Sequence, residues 1–562
     1  MAMADKESIE LQTINTNNNI FASSINSEIA KEPSIMTTEA PGNERIEAAT
    51  PKDSGSAGDN GKPAKMRPSK TTIIILYVVG ALLLIGGIAV GLSWMRIFNH
   101  ILLKELILTP TSTSYDMWKE TPIPMYLKLH LYNWTNTQEF TNNATTKPHF
   151  VEMGPYVFRE QHIKVNQTWN DNGTITFQQR RIWHFDESMS NGSLDDQITN
   201  LNVIGVTVGH TVRDEILAVR LAVNVMLGRF SERLFVTKTA RELLFDGYSS
   251  EFLDFVHSLD IPGVNIPFEK FGWFYGRNLS DTYDGVFNMH TGVENVYNLG
   301  VLENWNYRNK TDFWSGECSS IRGTTGELWP PVDRDESIEI FAPDICTSLV
   351  LSRANNTEML NVEGHKYITD RATFDNGTTV PSRACYCIKE PCQPSGMLDV
   401  SECRFGAPAY VSLPHFYQAD DYYINAVTGL EPGEGKYNFE MVLEPTTGIP
   451  LNVKAQMQIN ILVEPVNGIQ LLTGIPAETY IPMLWFSQEA QLSEELASQM
   501  ETLLMLPMLG HVGFTVIGAI GLVLIVIGIS LCVCRRCRSE DNQSLIDSED
   551  SNNPSKSDPV RM

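Results

Sequence analysis

Hydrophobic and polar positions are spread very unevenly along this chain. From Thr71 to Met95 it reads "TTIIILYVVGALLLIGGIAVGLSWM", 25 residues without a charge. At 1.5 Å per residue such a helix spans the roughly 30 Å hydrocarbon layer of a bilayer. A second charge-free run, from Thr502 to Cys534, contains "VGFTVIGAIGLVLIVIGISLCVC" and predicts another membrane helix over 507–534. Between the spans the period changes. "LNVKAQMQINILVEP" (451–465) sets Leu451, Val453, Ala455, Met457 and Ile459 against Asn452, Lys454, Gln456, Gln458 and Asn460, the alternation of a half-buried strand. "YVFREQHIKV" and "GTITFQQRRIWHF" are strand-like too, with β-branched and aromatic residues between Gly, Pro and Asn. The stretch 212–259 has helical spacing instead, so several helices are expected inside a mainly β domain.

Outside the spans the pattern fades. Residues 1–66 are rich in Asn, Ser, Glu, Thr and Gly and poor in aromatics, a composition that cannot offset the entropy of ordering. The last 25 residues have the same character. The chain therefore divides into a tail (1–70), a span (71–95), a large central domain (96–506), a second span (507–534) and a second tail (535–562). The first apolar run is too long for a signal peptide and has no small-residue cleavage site, so it reads as an uncleaved anchor.

Basic residues orient the spans. Lys62, Lys65, Arg67 and Lys70 precede the first, and Arg535, Arg536 and Arg538 follow the second, which predicts that both tails are cytosolic. The central domain then faces the lumen or the exterior. Asn133, Asn143, Asn166, Asn172, Asn191, Asn278, Asn309, Asn355 and Asn376 are N-x-S/T acceptors within it, and seven asparagines of the first tail form none. Asn542 is the one acceptor outside the central domain, on the cytosolic side. Cys318, Cys346, Cys385, Cys387, Cys392 and Cys403 are an even set in an oxidising compartment, where disulfides are expected. "CYCIKEPC" lacks the spaced pairs and histidines of a zinc site, and spacing alone leaves all 15 pairings of six cysteines open.

Net charge of -25 argues against nucleic acid as a partner, because phosphate binding needs a basic surface. HExxH, GxSxG, phosphate-loop and EF-hand motifs are absent, so the reading is a non-enzyme without cofactor or metal, though an active site built from distant residues would leave no local motif.

"MGPYVFRE" (153–160), "ELWPP" (327–331), "FAPDICTSL" (341–349), "RFGAPAYVSLPHF" (404–416) and "EPTTGIPLNVKAQMQIN" (444–460) resemble signatures of the class B scavenger receptors. That family includes the lysosomal integral membrane protein that carries a glucosidase. The resemblance covers about four fifths of the chain and suggests an invertebrate-type or endolysosomal member. The long first tail departs from the family pattern. The resemblance implies an α+β fold: a large antiparallel β-barrel capped by a helical apex, with an apolar tunnel through the barrel. It also implies the pairs Cys318–Cys385, Cys346–Cys403 and Cys387–Cys392. In the chain-entropy account the two long bridges would each stabilise by roughly 4 kcal/mol.

The family's cationic apex carries over to Arg229, with Arg233 and Lys238 nearby, where cations would attract oxidised lipid, lipoprotein surfaces or anionic partners. Glu232 and Glu242 offer the alternative of an ordinary solvated helix face. In the second tail, Asp541, Leu545 and Ile546 fit an acidic dileucine signal for a clathrin adaptor. Cys532, Cys534 and Cys537 lie at the inner membrane border, suited to S-acylation. Gly87 and Gly91, four apart, would let the spans pack on each other or the chain self-associate as a homo-oligomer. The expected function is a receptor of the plasma membrane and endolysosomes that binds lipids or lipoproteins and passes lipid through its tunnel. The rival readings are a sorting receptor for a luminal protein cargo and a two-span ligand-gated channel. The almost uniformly apolar spans speak against the channel.

Overall fold

In the computed structural model residues 69–143, 145–258, 269–475 and 477–550 are described. The expectation of an unfolded first tail lies outside them, apart from Ser69 and Lys70. The helix α1 (Lys70–Leu106) starts at Ser69, whose Oγ accepts the Thr72 N–H at 3.2 Å. It continues past the expected end at Met95. The last helix, α9 (Glu494–Asp550), begins before the apolar run, contains Pro507, and extends into the expected second tail. Both spans are thus the apolar cores of longer helices. The upper turns of α1 bury Phe98, Leu102 and Leu106 against Leu108, Trp118 and Phe177 of the central domain.

The central domain is built on one antiparallel sheet. Its early strands are β1 (Met125–Trp134), β2 (Phe150–Trp169) and β3 (Thr174–Phe185), followed by a ribbon of β4 (Gln197–Leu201) and β5 (Phe235–Thr239). Then come β6 (Val286–His290), β7 (Leu302–Trp305), β8 (Ser337–Ala342), β9 (Thr347–Met359) and β10 (Val362–Ile368). The chain ends its strands with β11 (Leu398–Asp399), β12 (Ala409–Ser412), β13 (Glu440–Leu443), β14 (Pro450–Val463) and β15 (Thr479–Gln491). The order is β7-β6-β3-β2-β1-β15-β14-β13-β10-β9-β8, with β12 on the far part of β14 and β11 on β12. Shorter helices fill the connections: α2 (Thr113–Lys119), α3 (Thr137–Asn142), α4 (Val203–Thr211), α5 (Leu217–Arg229), α6 (Glu251–Ser258), α7 (Asp421–Ala426) and α8 (Gln470–Thr473).

This corrects the expected β-barrel: the domain is α+β, but the sheet does not close. β7 and β8 are its two ends and do not pair. The segment that lies between them makes only isolated bridges, Leu302 N–H to Gly323 O at 2.8 Å on one side, and on the other Thr324 N–H to Glu339 O at 3.0 Å with Phe341 N–H to Thr324 O at 2.9 Å. The cause is local. Gly323 and Gly326 both have positive φ, and "RGTTGELWPP" runs straight into two prolines, so no pleated strand forms there.

Two further expectations change. The stretch 212–259 is not all helix: Phe235–Thr239 forms β5, paired with β4, and Glu242–Asp246 is a π-helical turn. β14 is not half-buried. Gln456, Gln458 and Asn460, read as solvent-facing, are buried: Gln458 accepts from Tyr132 Oη at 2.8 Å and from the His415 N–H at 2.7 Å, and Asn460 donates to Ser412 Oγ at 3.0 Å.

The terminal helices pack through glycine. A Cβ on Gly80 would lie 2.8 Å from Ile525, one on Gly87 2.7 Å from the Gly518 nitrogen, and one on Gly521 2.5 Å from the Leu84 nitrogen. Backbone therefore meets backbone, which only glycine allows. Gly91 differs: a Cβ there would make only an ordinary 3.5 Å contact with Phe514 Cβ.

Candidate functional site

The alternate residues of β14 that point away from the Gln458 side line a cavity of about 1430 Å³. Val453, Ala455, Met457, Ile459 and Ile461 supply one stripe, and the register brings Phe486 opposite Met457 and Ala490 opposite Val453 on β15. Eight residue steps at about 3.4 Å make that stripe roughly 27 Å long. The lining continues without a break onto the terminal helices, through Leu496, Met500, Leu503 and Leu506 of α9 and Trp94, Phe98 and Leu102 of α1. The far end lies one strand length away. α8 joins β14 to β15 at the end opposite α9, and α5 packs on α8 there, with Asn224 accepting the Gln470 N–H at 2.6 Å.

The opposite wall is charged. On the inner face of β2 and β3, Glu160 faces Trp183 across the ladder, His162 faces Arg181 and Lys164 faces Gln179. His162 Nε2 is 2.6 Å from Glu160, its Nδ1 bonds Glu327, and Lys164 bonds the second Glu327 oxygen. Arg181 pairs with Asp284 at 2.8 Å, and Arg277 with Asp344 at 2.6 Å. Burial alone would raise the Glu327 carboxyl, but Lys164 and His162 hold it well below the usual range. Burial alone would lower His162, and the carboxylates of Glu327 and Glu160 raise it instead. Asp344 is held at about 2, its burial outweighed by Arg277, Arg181 and Arg404. Each buried charge is thus matched, as burial requires. The cavity has one apolar face and one polar, internally paired face. That suits an amphiphile or a neutral lipid and offers no metal cluster among the described residues.

A second paired cluster lies on β1 and β2. Glu152 accepts from His415 Nε2 at 2.8 Å and from Trp485 Nε1 at 3.0 Å, and its other oxygen is 2.8 Å from His130 Nδ1. The Glu431 N–H donates to His415 Nδ1, which leaves the imidazole proton on the nitrogen facing Glu152.

The residues expected from sequence lie as follows. Disulfides join Cys318 to Cys385, Cys346 to Cys403 and Cys387 to Cys392. Asn143, Asn166, Asn172, Asn191, Asn278, Asn309 and Asn355 are exposed, and Asn133 is half-buried, accepting the Thr199 N–H. Asn376 is fully buried and its Nδ2 donates to the Gln393 carbonyl at 2.8 Å, which leaves no path for a glycan on that nitrogen in the folded chain. Arg229 and Arg233 are exposed and form no ion pair with a described residue, whereas Lys238 lies 4.0 Å from Glu242 and over the Tyr248 ring. Cys532, Cys534 and Cys537 are exposed free thiols on α9. Asp541, Leu545 and Ile546 fall on its last turns, where side chains lie outside the described residues.

Sequence reasoning missed two features. Glu160, His162 and Lys164 alternate within "REQHIKV", a signal of one polar strand face, but Glu327 is 165 residues from His162. α5 is the other. Ile216, Leu217, Leu221 and Val225 are exposed, Val225 to 71%, and the last three follow at i, i+4 and i+8 along one helix face.

The chain matches the profile of the CD36 family over residues 78–532. It is 33% identical over 450 residues to the Drosophila melanogaster protein called Protein peste, covering 80% of each chain. It is 33% identical over 456 residues to Scavenger receptor class B member 1 of Mus musculus, 80% of this chain and 87% of the receptor. Homo sapiens Lysosome membrane protein 2 is 29% identical over 439 residues, 77% of this chain and 88% of that protein. With that extent of match, on a domain held between two apolar helices, the chain belongs to the CD36 family.

Proposed function

We propose that this chain is a two-span receptor, both ends cytosolic, that takes lipid from lipoproteins or other lipid-bearing particles and delivers it through its cavity to the bilayer. The supporting observation is the continuity of the apolar lining from Ile461 on β14 to Leu506 and Trp94 on the terminal helices. Each methylene kept out of water is worth about 0.8 kcal/mol, so a shielded route of this length competes strongly with aqueous diffusion. The capture face is α5, where the apolar stripe from Leu217 to Val225 ends at the cations Arg229 and Arg233. Such a face fits a lipid monolayer with anionic groups. In the second tail the Asp541, Leu545 and Ile546 signal engages a clathrin adaptor and routes the receptor between plasma membrane and endolysosomes. Its neighbours in sequence include relatives named as a scavenger receptor and as a lysosome membrane protein, in keeping with both halves of this reading.

The test is lipid transfer from donor vesicles into liposomes that hold the full chain. Ala455→Trp puts an indole into the middle of the cavity, and transfer should fall at least tenfold while α5 still binds the donor. Transfer at the unaltered rate would refute the route through the cavity. A second reading is favoured by the same stripe on α5: escort of a luminal protein docked there. Capture of such a cargo by a chain whose transfer is already blocked by Ala455→Trp would favour it.

A further inference from the structure

Trp94 stands where the glycine-mediated backbone contact of the two terminal helices gives way to side chains that line the cavity. Below it, glycine brings the helices into backbone contact at Gly80 with Gly521 and Gly87 with Gly518. Above it, Phe98 and Leu102 of α1 and Leu503 of α9 face the cavity. At the boundary the Trp94 indole itself lines the cavity and crosses to α9, where Nε1 donates to the carbonyls of Leu506 at 3.3 Å and Pro507 at 3.1 Å. The site on α9 is shaped for it. Pro507 has no N–H to return to the Leu503 carbonyl, so the helix ladder is opened at this turn. A Cβ on Gly510 would collide with the indole, so glycine is the residue that leaves the ring its place. Phe98 and Phe514 flank the ring at 6.4 and 5.4 Å, and on the outer side Met508 and Leu509 expose apolar surface.

We propose that the cavity opens to the bilayer sideways, between α1 and α9, and that the Trp94 indole, hydrogen-bonded at the Pro507 turn, is the plug of this portal for an apolar lipid. The inference rests on the transfer reading above and specifies its last step. When the indole leaves the Leu506 and Pro507 carbonyls, the apolar surface of Leu503 and Leu506 becomes continuous with that of Met508 and Leu509, and an acyl chain passes without meeting a charge. An amphipathic ring at the level where the apolar run ends is also where tryptophan is favoured in membrane proteins.

The full chain in phosphatidylcholine liposomes, loaded with an NBD-labelled acyl lipid from donor vesicles, tests this. Trp94→Ala removes the plug and Gly510→Ala displaces it by a different route. Each should speed release into the bilayer about fivefold, the factor to which one neutral hydrogen bond's net contribution corresponds. Trp94→Phe keeps a ring without the donor and should fall between. Probe bound per protein in detergent should be unchanged in all three. Unchanged or slower release in both Trp94→Ala and Gly510→Ala, with Ala455→Trp still blocking transfer, overturns the portal alone. Failure of Ala455→Trp to block overturns the transfer reading and the portal with it.

Discussion

His162 touches a carboxylate with each ring nitrogen, Glu160 at Nε2 and Glu327 at Nδ1. A neutral imidazole has only one N–H, so the imidazolium is the form that satisfies both. Lys164 shares Glu327, and Arg181 faces His162 from β3. With its pKa raised above the unfolded value of about 6.5, the bound proton stabilises the fold fully below that pH, and the contribution is lost as pH rises through the folded value. The carboxylates run the other way. Glu160, Glu327 and Asp344 are held low, so their contribution is complete above the ordinary carboxylate range and is lost as pH falls through their lowered values, about 2 for Asp344. The melting temperature of the full chain in detergent should therefore be highest near pH 5–6 and decline towards pH 8. His162→Gln leaves two buried carboxylates facing one positive charge fewer. It should cost about 3 kcal/mol and flatten the decline above pH 6.5. An unaltered pH slope in the variant would count against this role.

At the scale of elements, the proposed capture face on α5 allows binding to be tested apart from stability. Leu221 and Val225 are exposed, so replacing both with Asp should leave melting within about 0.5 kcal/mol of the parent. The same pair should cut binding of lipoprotein or anionic vesicles at least tenfold by flotation, and undiminished binding would move the capture face elsewhere. The terminal helices behave oppositely: Gly87→Leu forces the backbones of α1 and α9 apart at Gly518 and should cost about 1–3 kcal/mol. Loss of cross-linking between cysteines placed on the two helices would register it. At the end of α9, replacing Leu545 and Ile546 with alanine should hold the receptor at the cell surface, and unchanged lysosomal delivery in surface-labelled cells would remove the sorting signal. Elements whose pattern is local were readable in sequence. The two spans show as uninterrupted apolar runs, β14 as alternation, and β2 and β3 as β-branched and aromatic stretches between Gly, Pro and Asn. β5 was not, because Phe235–Thr239 pairs with β4 across the 33 intervening residues 202–234, mostly of helical spacing, and that pairing overrides the local period. The burial of Gln458 and Asn460 was equally hidden. Alternation tells that a strand has two faces, but His415 and Ser412, which meet Gln458 and Asn460 on the polar one, come from elsewhere in the chain.

At the scale of the molecule, the open sheet and the cavity are two sides of one arrangement. The ends β7 and β8 do not pair; the glycine-bearing segment at 323–326 lies between them, Trp305 packs on Phe341 at 5.2 Å, and Gly326 and Glu327 line the cavity. Glu327 then ties the segment to β2 through His162 and Lys164, while Arg277 and Arg404 tie the neighbouring 342–344 turn through Asp344. One long disulfide acts on the same side: Cys346 and Cys403 are close in sequence to Asp344 and Arg404. A wall held by ion pairs and bridges around an unfilled apolar stripe keeps a large hollow from collapsing, which a continuous core would not permit. The resemblance to the class B scavenger receptors implied an apolar tunnel, and no spacing in the sequence could give the volume of the cavity or its charged wall. The most direct test of the account is mass spectrometry of lipid that co-purifies with the full chain. The account predicts lipid bound to the parent protein and absent or severalfold depleted in Ala455→Trp, with Leu221→Asp/Val225→Asp retaining it. Equal lipid in the parent and Ala455→Trp proteins would contradict it.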